Sequence, residues 1–156
     1  MTTPRVLLVP VREREYDDFF ALFEAYHREL DAYDPDAEHE PWSVDEYRAA
    51  VLDDLEGREQ LWIRADGERA GFAVVRTLPD WPREDRDVAE IAEFYVEPTF
   101  RRRGVGQAAV TALLAEHRRR GTHLVEASIL RDNDAAHAFW AALGFETRST
   151  VTRRRP

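Results

Sequence analysis

The sequence contains no cysteine and no lysine, and only one methionine among its 156 residues. Without thiols the chain can form neither disulfides nor thiolate metal sites, which fits a reducing cytosol. It has no run of 18 apolar residues and no secretory signal near its start, so no membrane partner is predicted. We therefore expect a cytoplasmic protein, with one domain spanning residues 1–156.

Positive charge is scarce in the first half of the chain and concentrated in the second. Residues 13–59 carry 17 Asp and Glu against 4 Arg, whereas residues 98–156 carry 5 against 11. The two halves could therefore face ligands of opposite charge. The basic clusters are short and the net charge is −9, so nucleic acid is not an expected partner. The five histidines show no ligand or triad spacing, and no metal site is predicted.

The spacing of apolar residues predicts the element order β-α-α-β-β-β-α-β-α-β. Asp66-Gly67 predicts a tight hairpin, and Ser43 and Asn133 are expected to cap helices. Hairpins followed by a βαβ unit favour an α/β fold with a mixed sheet and helices on both faces. The strands are expected at 6–11, 61–63, 71–78, 88–97, 124–130 and 145–153, with a loop at 79–87.

The junction after the fourth predicted strand is a candidate anion site. It reads Arg101-Arg102-Arg103-Gly104-Val105-Gly106 and opens a helix. Glycine lets a ligand approach the backbone, and the first N–H groups of a helix have no helical partners. A Gly-x-Gly alone is weak evidence, because it lacks the third glycine of a dinucleotide fingerprint and the lysine of a P-loop.

The junction belongs to a longer series of motifs. Val96-Glu97-Pro98 precedes it, and Asn133-x-x-Ala136-x-x-Phe139-Trp140-x-x-Leu143-Gly144-Phe145 follows. This series resembles the GNAT family of acyl-CoA-dependent N-acetyltransferases over residues 88–146, and the element order fits nearly the whole chain. The resemblance implies a mostly antiparallel, twisted sheet with a splayed parallel strand pair. It also implies acetyl-CoA as cofactor and direct acetyl transfer to a primary amine in a ternary complex.

The resemblance assigns cofactor contacts to the β-strand, the glycine loop and the last helix. Backbone amides from Arg102 to Gln107 would cradle the pyrophosphate, with arginine side chains near the other phosphates. The backbone around Tyr95 would pair with the pantetheine arm, and one N–H there would polarise the acetyl carbonyl. The predicted cofactor-binding residues are Phe94, Tyr95, Val96, Arg101, Arg102, Arg103, Gly104, Val105, Gly106, Gln107, Asn133, Ala136, Phe139 and Trp140.

Glu90 and Glu93 are the candidate general bases, because the acceptor ammonium must lose a proton. Both lie where members of the family carry acidic residues, although Ala92 breaks the acidic pair. They have opposite strand parity, so only one is expected to face the acceptor unless a bulge intervenes. Trp140 stands where the family usually has a tyrosine acid, and an indole N–H does not titrate near neutral pH. Tyr95, another tyrosine or water is left as the acid, or none is needed.

An acidic loop follows the first helix, with charged residues from Asp34 to Glu40. The resemblance places this region at the acceptor pocket, so a small cationic amine, polyamine-like or amino-sugar-like, is expected. Protein N-termini or lysines, and a catalytically silent acyl-CoA-binding module, are the alternatives. Family members often dimerise, which leaves both a monomer and a homodimer open. The residues predicted to contact the acceptor are Tyr26, Tyr33, Asp34, Trp42 and Trp81.

Overall fold

The computed structural model describes residues 2–40 and 43–156. Its strands are β1 Val6–Pro10, β2 Arg58–Ala65, β3 Glu68–Asp80, β4 Arg83–Val96 and β5 Leu124–Ala127. Its α-helices are α1 Tyr16–Asp31, α2 Val44–Asp53, α3 Val105–Arg120 and α4 Asp134–Ala142. Short 3₁₀ turns at Glu13–Glu15 and Pro98–Phe100 lead into α1 and follow β4.

The strands form one mixed sheet in the order β1-β2-β3-β4-β5. The first three pairings are antiparallel, and β4 and β5 are parallel. Asp66 and Gly67 join β2 to β3 with φ values of 50° and 86°. Two central residues with positive φ are what a tight type I′ hairpin requires. The predicted mixed, mostly antiparallel sheet and its Asp-Gly hairpin are confirmed.

Helices cover both faces of the sheet. On the first face, α1 and α2 pack their apolar sides against Trp62, Phe72 and Val74. On the second face, α3 and α4 pack against Val75, Ala89 and their neighbours. Side chains alternate along a strand, so the adjacent residues Val74 and Val75 of β3 point to opposite faces of the sheet. The prediction of helices on both faces is confirmed.

Two strand predictions and one loop prediction are wrong. Residues 145–153 form no strand, and Val151 there is 88% exposed, so this segment has little apolar surface to hold against the sheet. The fifth strand ends at Ala127 and not at residue 130. The loop expected at 79–87 is instead the end of a long hairpin, since β3 runs to Asp80 and β4 begins at Arg83. Its charged residues are tolerated because they are exposed to solvent.

The helix caps lie where the sequence predicts them, but α2 ends earlier than its apolar spacing indicates. Ser43 Oγ accepts the Glu46 N–H at 3.4 Å at the start of α2. That helix ends at Asp53, although the apolar spacing of Val44, Tyr47 and Val51 continues to Leu55, which is 43% exposed. In the described part of the chain, no helix is long and apolar enough to cross a membrane.

Candidate active site

The parallel strands β4 and β5 pair over four residues and then separate. Val88–Ile91 of β4 pairs with Leu124–Ala127. Strand β5 ends there, whereas β4 continues to Val96 with β3 along its other side. The edge of β4 from Ala92 to Val96 that faces away from β3 is therefore open. Backbone N–H and C=O groups on such an edge can pair with an extended ligand.

The alternation of hydrogen bonds identifies the groups on this open edge. Glu97 N–H donates to Ala70 C=O on the β3 side at 2.8 Å. The N–H groups of Val96 and Phe94, at alternate positions, therefore point to the open side. One acceptor there is already used, because Val96 C=O accepts a hydrogen bond from Arg101 Nε at 2.7 Å.

The loop between β4 and α3 presents backbone N–H groups at a helix start. Arg102 and Gly104 have φ values of 62° and 78°, so the chain turns sharply here. The first helical hydrogen bond joins Ala108 N–H to Gly104 C=O. The N–H groups of residues 105–107 consequently have no helical acceptor, and Arg102 and Arg103 beside them are exposed. This arrangement suits an anion such as a pyrophosphate.

Arg101 lies in the same loop but contacts a different part of the molecule. Its guanidinium donates to Glu29 of α1 at 2.7 Å and stacks 5.4 Å from the Tyr95 ring. Together with the Val96 contact, these interactions fasten the second half of α1 to the end of β4. Nε and Nη2 of Arg101 are thus engaged within the protein, and a contact of Arg101 with a cofactor phosphate stays a prediction.

The predicted cofactor residues of α4 pack against the loop and β4. Asn133 caps α4, with Oδ1 accepting the Ala136 N–H at 3.1 Å. The Phe139 ring stacks on Phe94 at 5.8 Å. The same ring accounts for a glycine at position 106, because a Cβ there would lie only 3.1 Å from the Phe139 ring.

Trp140 belongs to the second-face core rather than to an open surface. It is 6% exposed and meets the rings of Phe94 and Phe145 edge-on at 5.4 and 4.9 Å. These contacts account for a large apolar side chain at this position. The structure therefore favours core packing for Trp140 over a direct cofactor contact.

A β-bulge in β4 brings both candidate bases to the first face. Val74 pairs with Glu93 and the next residue, Val75, pairs with Ile91, so Ala92 has no partner in the register. The extra residue reverses the parity of the strand, and Glu90 and Glu93 lie on the same side. Only a bulge was expected to let both glutamates face the same side, and this bulge meets that condition.

The Glu93 carboxyl is partly buried beneath α1 and α2. The Tyr26 hydroxyl of α1 is among the groups that act on it. The pKa of Glu93 is raised to about 7, chiefly by burial and also by the negative charge of Glu90, while Tyr26 and Arg58 oppose the rise. A carboxyl with this pKa is about half ionised at neutral pH, which suits a general base.

Glu90 lies in a row of charged residues across the sheet. The register places Arg58, Arg76, Glu90 and Glu126 side by side on β2, β3, β4 and β5. Arg76 and Glu90 are 3.8 Å apart and both side chains are about one-third exposed. Sequence analysis missed Arg58, Arg76 and Tyr47 as neighbours of the candidate bases. The strand register that joins the two arginines to Glu90 is visible only in the folded sheet.

The Tyr95 hydroxyl is a poor candidate for a general acid. It donates to Glu29 Oε1 at 2.9 Å, and its side chain is 6% exposed on the first face. Burial raises the pKa of Tyr95 to about 12, and the hydrogen bond to Glu29 contributes to this. A proton held this firmly is not readily transferred near neutral pH. The acid role of Tyr95 stays a prediction that these contacts make less favourable.

The predicted acceptor residues are only partly brought together. Tyr26 is among the groups that act on Glu93, and Tyr33 and Asp34 lie in the turn directly after α1. Trp42 lies outside the described residues. Trp81 is 81% exposed in the β3–β4 turn, at the opposite end of β4 from Val96, and its role at the acceptor stays a prediction.

The acidic loop is partly neutralised by residues near the end of the sequence. Arg153 forms an ion pair with Asp36, and Arg155 lies 3.3 Å from Glu40. Asp34 Oδ1 accepts the Asp36 N–H at 2.9 Å. The negative charge available to an acceptor is therefore smaller than the sequence count suggests. Across residues 2–40 and 43–156, no cluster of His, Cys, Asp or Glu could hold a metal ion.

Comparison with known proteins gives a consistent set of matches. The profile of the Acetyltransferase (GNAT) family matches residues 16–145. An uncharacterized N-acetyltransferase of Methanocaldococcus jannaschii is 29% identical over 141 residues, covering 90% of this chain and 61% of that protein. The chain thus spans about three-fifths of that relative's length. An aminoglycoside N(6')-acetyltransferase type 1 of Stenotrophomonas maltophilia is 36% identical over 102 residues, covering 64% and 67% of the two chains.

The fold also matches solved structures. Aminoglycoside N-acetyltransferase AAC(6')-Iy in complex with CoA aligns with a TM-score of 0.70 at 18% identity, covering 99% of this chain and 97% of that one. At this identity the similarity establishes the shared fold alone.

Proposed function

The chain belongs to the Acetyltransferase (GNAT) family, and on this premise we propose that it transfers an acetyl group from acetyl-CoA to a primary amine. Transfer would occur directly between the two bound substrates. The observation that carries this proposal is the partly buried Glu93 carboxyl at the β-bulge, directly before the open edge of β4. A proton acceptor beside a strand edge that can bind an extended thioester arm is the arrangement that amine acetylation needs.

The open edge and the glycine loop fit coenzyme A. The N–H groups of residues 105–107 and the exposed Arg102 and Arg103 would hold the pyrophosphate. The open-edge groups of Phe94 and Val96 would pair with the pantetheine arm. Bound acetyl-CoA would supply the activated acetyl group as a thioester. The related aminoglycoside N-acetyltransferase fold in complex with CoA supports this choice of cofactor.

Glu93 is the better of the two candidate bases. Its pKa of about 7 leaves the carboxylate available at neutral pH and basic enough to take a proton from an acceptor ammonium. Glu90 faces the same side but is paired with Arg76 and is more open to solvent. We therefore assign proton removal to Glu93 and a supporting electrostatic role to Glu90, whose charge favours a cationic acceptor nearby.

The acceptor is proposed to be a small cationic amine. The acidic first half of the chain supports it. The similarity to a protein named aminoglycoside N(6')-acetyltransferase also supports it. The arginines that cover Asp36 and Glu40 weaken the contribution of the acidic loop. A protein amine acceptor and a silent acyl-CoA-binding module are the competing outcomes of the test.

The test is thiol release from acetyl-CoA with polyamines, amino sugars and peptides of free N-terminus as acceptors. We expect Glu93→Gln to lower kcat/KM by at least about 100-fold at pH 7.5, the usual contribution of a general base. Glu90→Gln is the matched control, because it removes the same charge from the same face. It is expected to lower kcat/KM by about threefold or less. Binding of acetyl-CoA without turnover of any amine would refute the proposed activity. Full activity of Glu93→Gln would refute the assignment of the base.

A further inference from the structure

One carboxylate on α1 links two residues at the end of β4. Glu29 Oε1 accepts a hydrogen bond from the Tyr95 hydroxyl at 2.9 Å, and Glu29 Oε2 accepts one from Arg101 Nη2 at 2.7 Å. Each partner therefore has an oxygen of its own. The partners lie 66 and 72 positions from Glu29 in the chain, so only the folded protein contains this link.

The Arg101 guanidinium lies between this carboxylate and the backbone of β4. Its Nε donates to the Val96 carbonyl oxygen at 2.7 Å, while its Nη2 donates to Glu29. The guanidinium carbon also lies 5.4 Å from the centre of the Tyr95 ring. The donors of a guanidinium are fixed in one plane, so a partner on Nη2 also fixes the direction in which Nε points. Glu29 therefore sets the hydrogen bond that Arg101 makes to Val96.

This hydrogen bond changes what the open edge of β4 offers to a ligand. Glu97 N–H donates toward β3, and the Val96 C=O of the same peptide unit points the opposite way, to the open side. The Val96 N–H points to the open side as well. A carbonyl that already accepts a charged donor attracts a second donor only weakly. At the end of the edge, Val96 therefore presents its N–H rather than its C=O.

We propose that Glu29 is a positioning residue, which holds Arg101 on the Val96 carbonyl and so leaves one hydrogen-bonding register on the open edge for the arm of acetyl-CoA. This inference rests on the proposed function, in which that arm pairs with the edge. Hydrogen bonds on one side of a strand repeat every second residue, so an arm in the next register would be displaced by about 7 Å. A thioester displaced that far lies out of reach of the amine that Glu93 deprotonates.

The same ion pair controls the charge beside the glycine loop. Arg101 precedes the exposed Arg102 and Arg103, and Glu29 neutralises it. The two side chains of the pair are 41% and 42% exposed, so their attraction contributes little to the stability of the fold. We therefore expect a variant without the Glu29 charge to fold normally. In that variant Arg101 would carry an unbalanced positive charge next to the proposed pyrophosphate site.

The main test is Glu29→Gln, which keeps an acceptor for the Tyr95 hydroxyl and removes the charge that holds Arg101. We expect kcat to fall about tenfold, because the thioester is no longer confined to one register. The dissociation constant of acetyl-CoA, measured by calorimetry, should stay the same or fall by up to about threefold, because the freed arginine favours an anion. A merely structural role predicts the opposite for binding. A weakened affinity for acetyl-CoA would therefore overturn the proposal.

A matched control lies on the same helix. Glu24 of α1 pairs with Arg28 at 2.9 Å, and its side chain has the same 42% exposure as that of Glu29. Glu24→Gln removes the same charge from α1 without touching the end of β4. Its kcat and its affinity for acetyl-CoA should both stay within about twofold of the parent, as is usual for an exposed pair. A loss of kcat equal to that of Glu29→Gln would overturn the proposal.

A second variant removes the other half of the link. Arg101→Lys keeps the positive charge, but a lysine ammonium lacks the planar set of donors that binds Glu29 and Val96 together. Its kcat should fall about as far as that of Glu29→Gln. Because both changes break one link, the double variant should be no slower than either single variant. Losses that multiply in the double variant would overturn the proposal.

A measurement on the protein alone tests the link without turnover. Nitrogen-15 NMR follows the Arg101 Nε–H, which exchanges slowly with solvent while it is bonded to the Val96 carbonyl. We expect exchange at least about fivefold faster in Glu29→Gln and unchanged in Glu24→Gln. Faster exchange with undiminished acetyl-CoA affinity supports the proposal even if no amine is acetylated, in which case the proposed function alone fails. Unchanged exchange in Glu29→Gln, or an unchanged kcat where an amine is turned over, overturns it.

Discussion

Replacing the proposed base should stabilise the protein while it abolishes activity. In the folded chain, burial raises the pKa of Glu93 from its ordinary value of 4.5 to about 7. Between these two values the folded protein binds a proton that the unfolded chain has lost, so stability falls as the pH rises through this window. Glu93→Gln removes the titration and with it the cost of holding a charge under α1 and α2.

The magnitude follows from the same two pKa values. At 1.36 kcal/mol per pKa unit, the rise corresponds to about 3 kcal/mol above pH 7. This is an upper limit because the carboxyl remains partly exposed, and about 2 kcal/mol is a reasonable expectation. For a chain of this length, that gain raises Tm by roughly 4–8 °C. Below pH 4.5 both proteins carry a neutral side chain, and their stabilities should converge.

The assay is urea unfolding at several pH values from 4 to 8.5, with unfolding monitored by circular dichroism. The matched control is Glu90→Gln, which removes a charge from the same strand and face. Its ion pair with Arg76 is long and partly exposed, so its effect should stay within about 1 kcal/mol and the pH slope of the parent should persist. A Glu93→Gln curve that runs parallel to the parent between pH 4.5 and 7 would refute the reasoning.

Two further predictions concern packing. A Cβ at Gly71 would lie 1.9 Å from the Tyr95 carbonyl oxygen, so Gly71→Ala should destabilise the protein by about 3 kcal/mol or more in urea unfolding, and a change below 1 kcal/mol would contradict the observed register. Trp140→Phe removes part of a buried ring and should cost about 1–3 kcal/mol of stability while kcat changes by less than about threefold. A 100-fold loss of kcat in a folded Trp140→Phe protein would instead indicate a chemical role for the indole.

Much of the architecture could be predicted from local patterns. The Asp66-Gly67 turn, the Ser43 and Asn133 caps and the glycine loop before α3 each depend on a few adjacent residues. Backbone geometry and capping hydrogen bonds act over this same short range, which is why such signals are dependable. The weaker pattern at 145–153 failed because alternation alone does not form a strand without a neighbouring edge and apolar surface to bury.

The roles of individual site residues depended on distant contacts. Arg101 reads as a phosphate ligand in its motif, yet it binds Glu29, which lies 72 positions earlier in the chain. Tyr95 is a candidate acid in the sequence, and in the folded chain its hydroxyl donates to the same Glu29. Competition between a cofactor and internal partners is decided by which groups the folded chain brings within hydrogen-bond distance, and sequence spacing does not contain that information.

The sequence by itself determined the family motifs, the order of elements up to α4 and the presence of two glutamates on one strand. Only the tertiary structure decided how those glutamates are used. The bulge at Ala92 turns both toward one face, and the packing of α1 buries Glu93. The physical reason is that the proton affinity of a carboxyl depends on its burial and on the charges and donors around it, all of which come from elements far apart in the chain.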